Sequence, residues 1–132
     1  MILLNTPYVT ITLDKEKGYL HQKWTGFSSS RDFRRAIDFS MNTLGEIDFY
    51  KIISDVTEQK LVPPTEQEYV KNKVLAFLDS NDRFRLAFIT REESVIETCT
   101  SLYDKSFKNE NVDGVNKSFR TLEDAEEWII KE

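Results

Sequence analysis

A chain of 132 residues, 39% hydrophobic and 31% charged, has room for one core, and its nine Phe, five Tyr and two Trp exclude a disordered chain. Eighteen basic against 23 acidic side chains leave a net charge of −5. That balance argues against non-specific binding to nucleic acid or anionic lipid, which both need a cationic face.

One cysteine, Cys99, permits no intramolecular disulfide. Met1 to Leu4 runs straight into Asn5, Thr6 and Pro7, too short an apolar stretch for a signal peptide. No segment approaches the roughly 20 apolar residues of a membrane span. The expectation is a single soluble domain over residues 1–132, located in the cytoplasm.

Tyr8 to Leu13 alternates apolar and Thr faces, a strand pattern. A charged turn, Asp14 to Gly18, leads to a second strand, Tyr19 to Trp24, which Gly26 ends; the two are close enough for a hairpin. Ser29 with Asp32 is an acidic capping box, and Phe33, Ala36, Ile37, Ser40, Met41 and Leu44 form the stripe of a first helix that Gly45 stops. The Arg31, Arg34 and Arg35 cluster is interrupted by Asp32 and Asp38 and reads as a solvated helix face.

Tyr50 to Val56 is a third strand, followed by a loop marked by Pro63-Pro64. Thr65 and Glu68 predict the capping box of a second helix striped by Val70, Val74, Phe77 and Leu78. Phe84 to Ile89 is a fourth strand. Thr90 and Glu93 predict the cap of a third helix, striped by Val95, Ile96, Cys99, Leu102, Tyr103 and Phe107. A short last strand, Val115 to Phe119, precedes a helix capped by Thr121 and Asp124, with Leu122, Ala125, Trp128 and Ile129 on its buried face.

The order β-β-α-β-α-β-α-β-α predicts an α/β fold. Its five-stranded, mainly parallel mixed sheet carries an opening β-hairpin and four helices, starting near Ser30, Thr65, Arg91 and Leu122. The hairpin's antiparallel strand belongs at or near an edge.

Trp24-Thr25-Gly26 before the first helix, Ser54-Asp55 ending the third strand, and Phe119-x-Thr121-x-x-Asp124-Ala125-x-x-Trp128-Ile129 at the close resemble small bacterial STAS-like (SpoIIAA-like) proteins of uncharacterised function. The resemblance runs from about Tyr8 to Ile130 and implies a binding or regulatory module rather than a catalyst. Its best-known members are anti-sigma-factor antagonists with an Asp-x-Ser-Gly stretch whose Ser is phosphorylated. Here the matching stretch is Asp55-Val56-Thr57-Glu58. Thr57 keeps a hydroxyl, but Glu58 replaces the glycine and its charge disfavours a phosphate beside it. Related members resemble CRAL-TRIO lipid carriers, which implies an apolar small molecule as the alternative ligand class.

In an open parallel sheet, ligands sit beyond the carboxyl ends of the strands. If the second strand is parallel to the third, four loops meet there: Thr25–Ser30, Val56–Pro64, Thr90-Arg91 and Arg120-Thr121. The candidate binding rim is therefore Trp24, Ser28, Asp55, Thr57, Thr90 and Arg91. Each has a plain structural reading as well. Ser and Thr at these places cap helices. Asp55 is either a site residue or an acceptor for backbone N–H groups of the long loop after it. Trp24 either floors a pocket or packs under the first helix.

His21 is the one histidine and has no His or Cys companions for a metal site; Cys99 reads as a small buried hydrophobe. There is no Walker loop, no GxGxxG and no Cys–His nucleophile pattern. The expectation is a non-enzyme without cofactor or metal, acting on a protein partner or a second copy of itself.

Overall fold

The computed structural model describes residues 1–60, 62–91, 105, 107 and 114–131. Its elements are β1 (Ile2–Asn5), β2 (Val9–Asp14), β3 (Tyr19–Gly26), α1 (Ser30–Ile47), β4 (Lys51–Gln59), α2 (Pro64–Ser80), β5 (Arg85–Ile89), β6 (Asn116–Phe119) and α3 (Leu122–Lys131). The predicted third helix, with Cys99, lies outside the described residues except for Lys105 and Phe107. Both are helical, and Phe107 is buried.

The sheet runs β1-β2-β3-β4-β5-β6. β1, β2 and β3 are antiparallel neighbours, while β3 to β6 are parallel. The expected mixed α/β class is the observed one, with a sixth strand. That strand, β1, escaped the alternation pattern because a bulge between Ile2 and Leu4 breaks its period. The Thr6 hydroxyl closes the turn to β2, accepting from the Val9 amide at 2.9 Å.

Alternation divides the strands between two faces. Val9, Ile11, Leu20, Trp24, Ile52, Val56, Leu86 and Phe88 form the larger core with α1 and α2. Tyr19, Ile53, Ala87 and Ile89 form a smaller one with Ala125 and Ile129 of α3. The stripe of α1 is as expected, with Phe33, Ala36, Ile37, Ser40 and Leu44 buried, and the Ser29 hydroxyl accepts the Asp32 amide at 3.1 Å.

Four expectations are corrected. Gly45 does not stop α1, which continues to Ile47 and ends on Asp48 at φ 59°, a left-handed position that Asp tolerates. β4 reaches Gln59, so Thr57 to Gln59, expected in the loop after Val56, is strand. The Thr65/Glu68 box does not form: α2 begins at Pro64, whose fixed φ and missing N–H suit the first helical position. Leu122 is exposed, leaving Ala125 and Ile129 as the fully buried pair of α3.

Candidate functional site

The parallel strands end together at Gly26, Gln59, Ile89 and Phe119. The sequence-predicted rim residues do not form one cluster there. They divide among the larger core, two polar clusters on opposite faces of the sheet, and the β5–β6 end.

Trp24 belongs to the core. It is 2% exposed, its ring lies 5.2 Å from Phe33, and its indole N–H donates to Gln22 Oε1 at 3.1 Å. Gln22 in turn donates to Ser40 Oγ at 2.8 Å, and Ser40 donates to the Ala36 carbonyl at 2.9 Å. This polar chain, with Ser54 beside it, lines a cavity of about 40 Å³ between the sheet and the α1–α2 pair.

On the α1–α2 side, the N-termini of both helices converge on a recess of about 90 Å³ lined by Gly26, Ser28, Ser30, Gln59, Pro63 and Glu66. Helix N-termini attract anions, and here the chain supplies its own. Glu66, buried in the first turn of α2, accepts from Ser30 Oγ at 2.5 Å, Thr65 Oγ1 at 2.7 Å and Arg34 Nε at 3.1 Å. The Ser30 hydroxyl, then that of Thr65, together with Arg34, hold this carboxyl below the usual carboxylate range against the upward pull of burial.

On the α3 side, a bulge sets Trp24 against two residues of β4, between the pairs Lys23↔Asp55 and Thr25↔Glu58. Asp55 Oδ1 accepts the Thr57 amide at 3.0 Å and the Thr57 hydroxyl at 2.7 Å. Asp55 therefore does accept a following backbone N–H, at the bulge rather than in a loop. Lys23 Nζ reaches Asp55 at 3.2 Å, Thr57 at 3.3 Å and Glu58 at 3.3 Å. Burial raises the Asp55 pKa, but the two Thr57 bonds and Lys23 outweigh it and leave it lowered.

Thr90 is buried at the end of β5, where it accepts from Arg120 Nη1 at 2.5 Å; Arg91 beside it is exposed. Sequence reading missed Lys23, Ser30, Arg34 and Glu66. The Pro63-Pro64 pair, which places Glu66 at the third helical position, was the available signal for Glu66. Lys23 is brought to Asp55 by strand register, which local sequence does not carry.

Acid should weaken the fold. Burial lowers the His21 pKa from its ordinary 6.5, more than nearby Asp55 raises it. As pH falls through that ordinary value the unfolded state takes up the proton first, so stability drops. Glu66 and Asp55, and Glu126 held down by Lys17 and Tyr19, add their losses further down. Their contribution is present above the ordinary carboxylate value of about 4 and disappears as pH falls through the lower folded values. Urea midpoints should decline from neutral pH downward, and His21→Gln should flatten only the upper part of the curve. Midpoints that rise on acidification would contradict this.

Thr57 should carry no phosphate in the cell. The group would bring about −1.5 to −2 charges beside Asp55 and Glu58, and Lys23, the cation among them, is already shared by both carboxylates. Mass spectrometry of protein from its own host checks this; stoichiometric phosphate at Thr57 would restore a phosphorylation switch.

These features define a mixed α/β domain with a six-stranded sheet, a SpoIIAA-like fold. A solved structure of an uncharacterised DUF3478-family protein with a SpoIIAA-like fold, from Shewanella loihica PV-4, is similar over 92% of this chain and 91% of that one, with a TM-score of 0.56 and 20% identity. That likeness establishes the fold. No family model matches the sequence, and no curated protein matches it.

Proposed function

We propose that this chain is a non-enzymatic STAS-like binding or regulatory module of the cytoplasm, acting through contact with a partner protein or a second copy of itself. The observation that carries the reading is the cavity of about 40 Å³ behind the sheet. Ligand pockets hold about 300–1,000 Å³, whereas a space this small takes water molecules. That size weighs against the alternative, a carrier for an apolar or lipid-like molecule.

The rim adds support. Its carboxylates, Glu66 and Asp55, are each held by hydroxyls and a cation of the same chain. That arrangement supports a structural role for both over proton transfer. No described helix is long and apolar enough to cross a membrane.

Native mass spectrometry of the full chain purified gently from its own host tests the reading. The expected species are the bare polypeptide, its multiples, or a complex with another polypeptide. A stoichiometric adduct of a few hundred daltons would overturn it in favour of a carrier.

A further inference from the structure

We propose that the cavity behind the sheet is a hydration site, in which Gln22, Ser40 and Ser54 hold water, and that the recess at the helix N-termini is the port through which this water exchanges. The inference rests on the reading above, which takes the cavity as too small for an organic ligand, and names what it admits.

Three polar side chains meet inside an otherwise apolar layer. Gln22, Ser40 and Ser54 are 4%, 1% and 3% exposed. Their hydrogen bonds within the chain leave capacity over. A side-chain amide offers two donors and two lone pairs. Gln22 uses one donor on Ser40 and one lone pair on Trp24. Ser40 donates to the Ala36 carbonyl and accepts from Gln22, which leaves one lone pair. Ser54 stands directly opposite Gln22 in the β3–β4 pairing, and its hydroxyl bonds no other described residue. Buried polar groups need partners, and all three side chains line the same cavity of about 40 Å³. A space of that size takes about two or three waters, and a buried water makes about three hydrogen bonds.

The lining also selects the occupant. An apolar group would leave the remaining donor and lone pairs unmet. An ion would lose its hydration, and none of the described lining residues carries a charge to replace it. Water supplies both donors and acceptors at this size.

Of the described residues around the cavity, Gln59 and Met41 are the partly exposed ones. Gln59, with the buried Phe33 and Val62, also lines the recess of about 90 Å³ at the starts of α1 and α2, so the two spaces share a wall. Gln59 ends β4, and its side chain can turn aside without disturbing the core.

Oxygen-17 relaxation dispersion of the full chain counts waters that stay bound longer than the protein tumbles. Ser54→Val puts methyl groups into the cavity and removes one anchor. It should lower that count by at least one, with an unchanged far-UV circular dichroism spectrum. Gln59→Ala should shorten the residence time severalfold, read from the temperature dependence of the dispersion. Met41→Ala should leave it unchanged. In the wild-type chain under xenon, the methyl signals of Ile52, Val74 and Leu86 should show no saturable shift, because xenon enters dry apolar cavities and not hydrated ones.

A saturable xenon shift in the wild type would overturn the hydration site, whatever the variants do. An equal water count in wild type and folded Ser54→Val would overturn it as well. A residence time that Gln59→Ala leaves unchanged would overturn the port. Each of these results leaves the module reading in place. An organic molecule of a few hundred daltons copurifying in the cavity would overturn both.

Discussion

Trp24→Ala is expected to destabilise the domain by about 3–5 kcal/mol, the usual cost of emptying a buried aromatic site. Two losses combine. The first is packing: Trp24 is 2% exposed and its ring meets Phe33 of α1 at 5.2 Å, so its removal opens a void under that helix. The second is polar. The indole N–H occupies Gln22 Oε1, and without it that acceptor is stranded inside an apolar face. Trp24→Phe separates the two, keeping most of the ring contact while losing the hydrogen bond, and should cost about 1–3 kcal/mol. Urea denaturation followed by circular dichroism measures both. A Trp24→Ala change within error of wild type would mean that Trp24 is not a core residue but the open floor of a pocket.

Ile129→Ala is expected to cost about 2–5 kcal/mol and to release α3 before the rest of the domain unfolds. That helix has two fully buried side chains, Ala125 and Ile129, set on Tyr19, Ile53, Ala87 and Ile89. Ala125 contributes little area, so Ile129 is the main anchor. Around it, Trp128 meets Phe119 at 5.7 Å, and Glu126 accepts from the Tyr19 hydroxyl at 2.5 Å and pairs with Lys17 at 2.9 Å. The exposed lysine makes the ion pair a minor contributor. Hydrogen exchange of the α3 amides, compared with those of β4, is the direct readout. Equal protection in both would mean that α3 is held by something other than Ile129.

The parts of this fold that follow local period were legible in the sequence. Alternation in β2 and β3, the 3.6-residue stripe of α1 and the caps at Ser29 and Thr121 all depend on residues a few positions apart. What was not legible depends on geometry across the chain. β1 hid behind its bulge. Glu66 hid because Thr65 and Glu68 offered a capping box that competed with a start at Pro64, and the proline prevailed by being preorganised for the first turn. The candidate rim was read as one site because its loops share one end of the sheet. It divides because alternation sends Trp24 and Asp55 to opposite faces, which pairing Trp24 with its neighbours in sequence could not reveal. Asp55 was the partial success, since an Asp two residues before an N–H it can accept is a local relation.

The most direct test of the account is electron density in the cavity beside Gln22, Trp24, Ser40 and Ser54, in crystals grown from protein purified from its own host. A packed module that works through its surface predicts water-sized peaks at most, bonded to the polar side chains. Continuous elongated density along Trp24 and Phe33, with α1 and α2 moved apart to admit it, would contradict the account and make the protein a carrier.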